Sequence, residues 1–155
     1  SDMVQKMEIT DSEICFSDIV ILDYDSGKVL RYYFANFFSK WLFRGGWMPP
    51  HPGCFIKKSL FNEFGMYSTD FKIAGDFDFL VRIFFSRKIY WSYLNRISVK
   101  MLEGGTSNSG LKSKKIIANE ISRSLSNNNV WSLSVFQLLR YLIRILELTV
   151  KPKKL

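Results

Sequence analysis

Apolar positions along the chain switch between two spacings, and the switches mark the elements. Phe77, Leu80, Val81, Phe84 and Phe85 fall at i, i+3, i+4, i+7 and i+8, which predicts a helix over 75–86 with one apolar stripe. Glu13 to Leu22 is more apolar than alternating, the pattern of a strand buried on both faces. Asp23-Tyr24-Asp25-Ser26-Gly27 reads as a turn, and Lys28 to Phe34 returns as the second arm of a hairpin. Asn36 to Phe43 places Phe37, Phe38, Trp41 and Leu42 at helical spacing, opened by Asn36 and stopped by Gly45-Gly46. Pro49, Pro50 and Pro52 forbid helix and predict a stiff, extended approach to a short strand at 54–57.

Lys58 to Phe64 reads as a short helix ending at Gly65, followed by a loop over 66–73. Strands are expected at Ile89 to Leu94 and Ile97 to Leu102, then a polar, flexible loop at Gly104 to Gly110. Two helices close the chain, Leu111 to Leu125 and Val130 to Thr149, divided by Asn127-Asn128-Asn129. Asp2 to Met7 is expected as a helical turn. No internal repeat is visible. The mixture predicts an α/β class, mixed α+β.

At 155 residues this is one ordinary domain by length, and 47% apolar residues suffice for a core. A charged fraction of 23% excludes a disordered chain. Cys15 and Cys54 form no Cys-x-x-Cys pair, and a single histidine excludes a Cys/His zinc site. Two buried thiols in a reducing, cytoplasmic compartment are the expectation. Neither a signal peptide nor an apolar run long enough to span a membrane is present in the sequence. The chain starts at Ser1 rather than at methionine, as the back half of a longer protein or a processed product would.

Charge alters this picture. From Lys112 onward nine cationic residues face only Glu120 and Glu147, which accounts for nearly all of the net +8. A basic tail on a neutral body points to an anionic neighbour, either lipid headgroups at the inner face of a membrane or nucleic acid. Nucleic acid is disfavoured, because no recognition motif appears and the cations are not interleaved with exposed rings. The last helix carries Val135, Phe136, Leu138, Leu139, Leu142, Ile143, Ile145 and Leu146, an apolar face broader than a surface helix needs. It has three candidate neighbours: the body of the protein, a second copy in a homodimer, or a bilayer boundary met peripherally.

Candidate chemistry centres on Asp76, at or just before the first turn of the 75–86 helix. A carboxylate there is either a cap or a general base held by a packed helix at the mouth of a cleft. His51 sits on a proline-stiffened backbone, as a site residue should. Trp47 next to it is placed either for the core or for stacking on a sugar ring. Gly104-Gly105-Thr106-Ser107 has the amide density to cradle phosphate. Arg82 is placed to pair with a carboxylate or a diphosphate.

The order Pro49-Pro50-His51-Pro52-Gly53, a strand, Lys57-Lys58-Ser59-Leu60-Phe61, Phe64-Gly65-Met66-Tyr67, Ala74-Gly75-Asp76-Phe77-Asp78-Phe79-Leu80-Val81-Arg82 and Gly104-Gly105-Thr106-Ser107 resembles the C-terminal, acceptor-side half of a glycosyltransferase family 2 enzyme. It is closest to bacterial members that build surface polysaccharides. The resemblance runs from about Asp2 to Gly110, with 111–155 as a basic helical extension. It implies a GT-A fold with a Rossmann-like front half, a nucleotide-sugar donor and a saccharide or lipid-linked acceptor.

The resemblance implies that Asp76 is the base that deprotonates the acceptor in an inverting transfer. Asp78 matches a frequently acidic position with a supporting or capping role. Many members carry Glu-Asp where this chain has Gly75-Asp76, so the base is kept and its acidic neighbour is not. His51, Trp47 and Arg82 would lie on the substrate side, and the loop with Gly104, Gly105 and Ser107 would cover the donor. Ser1-Asp2 looks like the tail of the family's metal motif, which would make Asp2 one ligand of Mg²⁺ or Mn²⁺. Most of the nucleotide-binding half is missing before Glu13, so this chain alone is expected to be inactive. The alternative is a non-catalytic binding or assembly module whose basic tail faces membrane or nucleic acid.

Overall fold

The computed structural model describes residues 1–103 and 110–152. Among these residues the fold is mixed α/β, with one four-stranded sheet and five α-helices. The central strand β1 (Ile14–Leu22) is buried over its first seven residues, as its apolar run predicts. β4 (Trp91–Leu102) pairs parallel with β1 from Ile14 to Leu22 and takes one edge. The other edge is shared by two short antiparallel strands. β2 (Val29–Tyr33) pairs with Ile19–Leu22, and β3 (Cys54–Ile56) pairs with Ile14–Phe16.

Parallel pairing of β1 and β4 needs a crossover, and the path between them contains α2 (Lys58–Phe64) and α3 (Gly75–Ser86). The predicted stripe of α3 is buried on the core. Phe85 alone of that stripe is half-buried, and Phe79 and Ile83, off the stripe, are fully buried as well, because α3 lies between the sheet and the neighbouring helices. Its rings interlock with the body: Phe84 meets Phe38 at 5.3 Å and Phe77 meets Phe43 at 5.6 Å. On another side Phe79 stacks on Phe61 of α2 at 4.5 Å. α1 (Asp2–Thr10) buries Met3 and Met7 beside Cys15 in a smaller cluster. Cys15 and Cys54 are both free thiols.

Four elements differ from the sequence reading. Residues 36–43 form no α-helix; a 3₁₀ turn spans Lys40–Gly45 and closes on Gly46 at φ 71°. The ring positions do not share one face: Phe38 is buried while Trp41 is 55% exposed, so aromatic packing overrides the local spacing. The segment at 89–102 is one strand rather than two. Its register against β1 slips at Asp18, where Asn95, Arg96 and Ser98 are accommodated as irregularities, so bulging replaces a break.

The proline segment is not wholly extended, since His51–Gly53 forms a 3₁₀ turn. A Cβ on Gly53 would come within 2.7 Å of the Ser17 carbonyl oxygen, so glycine lets this turn press onto β1. Finally, the helix expected from Val130 begins late. Ser134–Leu138 is 3₁₀, and α5 covers Leu139–Thr149. Val130 is buried and Ser132 Oγ donates to the Arg44 carbonyl at 2.6 Å, which holds this stretch away from helical geometry.

The basic tail is stitched into the body by its two acids. α4 (Gly110–Asn127) carries Glu120, whose buried carboxylate accepts the amides of Lys72, Ile73 and Ala74 at 2.8, 3.0 and 2.9 Å. α5 carries Glu147, fully buried, which pairs with Arg31 at 2.5 Å and accepts from Trp47 Nε1 at 3.2 Å. Ile121, Leu125, Val130 and Ile143 belong to the same core as Phe16 and Phe77.

Candidate active site

The segment 72–74 has no side-chain cap of its own at the start of α3. Glu120 supplies the acceptors instead, so three amides ahead of the helix are held from another helix. This is a remote form of N-terminal capping. Burial pushes the Glu120 carboxyl up, but the three amides and Arg123 outweigh it and hold it below the usual range.

The arrangement sets Asp76 in the first turn of α3, on the wall of a cleft of about 380 Å³. His51, Trp47 and Tyr33 line the same cleft. Ala74 is the N-cap residue, so Asp76 is not the cap that local spacing suggests. Its Oδ1 accepts the Phe77 amide at 2.7 Å, and among the described residues it makes no ion pair. Burial pushes the Asp76 carboxyl above its ordinary value; the Phe77 amide and nearby His51 only partly offset this. A carboxylate so raised is a better proton acceptor.

His51 is half-buried, and its Nε2 shares a hydrogen bond with Tyr67 Oη at 2.8 Å. Burial and the Asp76 charge push the Tyr67 phenol up, which keeps it neutral. Tyr33 donates its hydroxyl to the Met48 carbonyl at 2.7 Å. Trp47 is 3% exposed and its Nε1 is held by Glu147, so it forms part of the core as well as part of the wall.

Other expected site residues lie elsewhere. Asp78 points toward α4, accepting from Ser124 Oγ at 2.9 Å and pairing with Arg82 at 3.4 Å. That is a supporting position, and Asp78 is not on the cleft wall. Arg82 donates to the Phe64 carbonyl and to the Met66 carbonyl at 3.0 Å, so it ties down the loop after α2. Gly104, Gly105 and Ser107 lie outside the described residues. Asp2 sits at the start of α1 and pairs with Arg96 of β4. Among the described residues no group of three or more His, Cys, Asp or Glu side chains is placed to hold an ion, and Asp2 paired to a guanidinium does not fit a divalent-metal site.

Sequence reading missed the cationic side of the cleft. Arg31 of β2, Lys114 of α4, and Arg140 and Arg144 of α5 all line it. The available signal was the i, i+4 spacing of Arg140 and Arg144, which places both on one helix face. Arg31 and Lys114 reach the cleft only through tertiary packing. Among the described residues no helix is long and apolar enough to cross a membrane. Comparisons of the chain with models of protein families, with curated proteins and with solved structures found no match.

Proposed function

We propose that this chain is the acceptor-side half of an inverting, GT-A-type family 2 glycosyltransferase acting at the cytoplasmic side in cell-surface polysaccharide biosynthesis. The observation that carries the reading is Asp76, raised by burial and lining a cleft of about 380 Å³ beside His51. The Asp76 carboxylate takes the proton from an acceptor hydroxyl as that oxygen bonds to the anomeric carbon of the donor sugar. The bond from that carbon to the nucleoside diphosphate breaks, and the configuration inverts. His51, itself held by Tyr67, orients the acceptor. Donor binding is assigned to the front half of the intact enzyme, and no step here is assigned to a metal.

The test is Asp76→Asn in the complete enzyme. Transfer should fall about a thousandfold, the scale of a lost general base, while donor affinity stays nearly unchanged. Retained turnover would remove Asp76 from the role. Titration of the 155-residue chain alone with UDP- or GDP-sugars and Mn²⁺ should give no tight, metal-dependent binding.

A second reading, a binding module that meets an anionic membrane, is favoured by one observation. The outer side of the last segment exposes Trp131, Leu138, Leu142, Ile145 and Leu146. Because Ile143 and Glu147 of the same helix are buried, deleting the tail would disturb the core. Leu142→Glu with Ile145→Glu is the better probe. Loss of flotation with anionic liposomes would support this reading, and flotation unchanged from the parent would exclude it.

A further inference from the structure

Away from the cleft, the junction of α4 with the last segment encloses a smaller cavity of about 240 Å³. Ser122, Ser126, Ser132 and Gln137 form its polar lining, and Leu125, Val130 and Trp131 its apolar lining. No charged side chain among the described residues lines it, and it shares no wall residue with the cleft that holds Asp76. α4 stands between the two. Its Ile117 and Ile121 line the cleft, while its Ser122, Leu125 and Ser126 line the smaller cavity.

The polar lining is held in place and keeps hydrogen-bonding capacity. Gln137 is 7% exposed, and its Nε2 donates to Ser122 Oγ at 2.6 Å. Having accepted, Ser122 keeps its own proton to give. Ser132 gives its proton to the Arg44 carbonyl at 2.6 Å, which leaves its oxygen to accept. Ser126 adds a further hydroxyl. Trp131 is 58% exposed and yet anchored: the Phe136 ring crosses it at 77° with centroids 5.7 Å apart, and the Arg44 guanidinium lies 5.8 Å from its centroid. A half-open indole anchored beside a hydroxyl-lined cavity is a preformed platform.

These features select a ligand. A charged molecule would leave water there without meeting a counter-charge. A hydrocarbon would cover the serine and glutamine groups without satisfying them. A sugar ring meets both conditions, because hydroxyls that donate and accept ring its edge while C–H groups on its faces can lie against an aromatic ring. The volume is below the roughly 300–1,000 Å³ of pockets for drug-sized ligands, so one such ring, free or as a unit of a chain, suits it. We infer that this cavity is a second, neutral saccharide site: a pyranose unit places its hydroxyls on Ser122, Ser126, Ser132 and Gln137 and a C–H face on Trp131. The site stands apart from the Asp76 cleft and does not depend on the transferase reading.

The experiment is a nuclear magnetic resonance titration of the 155-residue chain with methyl glucoside, methyl mannoside and N-acetylglucosamine, with glucuronate and cyclohexanol as controls. At least one neutral sugar should shift the indole N–H of Trp131 and the side-chain amide of Gln137 and saturate at millimolar concentration, while the indole of Trp47 on the cleft wall stays in place. Trp131→Ala, followed at the Gln137 amide, should weaken binding about tenfold, and Ser126→Ala severalfold, the scale of one neutral hydrogen bond. Both side chains are exposed, so thermal midpoints should match the parent. A parent that shows no shift at Trp131 with any of the three sugars overturns the site, as does unchanged affinity in Trp131→Ala. Shifts confined to Trp47 place the sugar in the cleft and overturn it too. Glucuronate or cyclohexanol binding as tightly as the neutral sugars overturns the ligand class. None of these outcomes involves transfer or Asp76, so failure here is distinct from failure of Asp76 as the base.

Discussion

The middle of β1 and the mouth of α3 each hold an aspartate, and the fold treats the two in opposite ways. Asp18 is 1% exposed, and its oxygens accept the Ala35 amide at 2.9 Å, the Tyr93 hydroxyl at 2.9 Å and the Tyr32 hydroxyl. Asp76 has one neighbouring amide and a cleft. Asp78, Glu120 and Glu147 follow Asp18, each tied to partners across the chain. A buried carboxylate with a full set of donors builds the fold. One left partly unpaired, on a cleft wall, is available for chemistry.

The comparison can be broken most forcefully at Asp18. Asp18→Ala should cost about 3–4 kcal/mol, because it strands a buried amide and removes the acceptor of two tyrosines; urea unfolding measures it, and a loss below about 1 kcal/mol would mean that this network is not structural. Glu147→Ala comes next, at about 3 kcal/mol, since it leaves Arg31 without its buried partner. It should also loosen Trp47, readable as a shift in tryptophan emission.

Glu120→Ala should cost about 2 kcal/mol, because three amides ahead of α3 lose their acceptor. Hydrogen exchange should then quicken at Lys72, Ile73 and Ala74 before it quickens in β1. Smallest, and opposite in sign, Asp76→Asn should stabilise the chain by about 1 kcal/mol near neutral pH, the scale seen when a site residue is relieved of an unfavourable burial.

The pH dependence separates the two kinds of acid. Glu120 is held below the usual range, so its contribution is present above the ordinary glutamate value and is lost as pH falls through the lowered one. Asp76 is pushed up. The native state therefore keeps a proton that the unfolded chain releases, and Asp76 destabilises progressively as pH rises from the ordinary aspartate value through the raised one. The Asp76→Asn gain should vanish below that window. A gain that persists in acid would mean that ionisation of Asp76 is not the cause.

The sequence made the local pieces readable. The apolar run of β1, the turn at 23–27, the short helix ended by Gly65 and the stripe of α3 all stand where spacing puts them. What misled was aromatic-rich or pinned: 36–43 has helical spacing, but its rings go to different neighbours, and 130–133 is held by Val130 and Ser132. Asp76 and His51 were visible as candidates, and the structure brings both to one cleft. The cationic wall was not visible, because Arg31 and Lys114 stand more than eighty residues apart in the chain.

By itself the amino-acid order determined which segments become strand and helix, because hydrophobic period, proline and glycine act within a few residues. Only tertiary packing decided which charges are structural and which face the cleft. That choice depends on donors and acceptors brought together from distant parts of the chain: Glu120 meets Ala74 across 46 positions, and Glu147 meets Arg31 across 116.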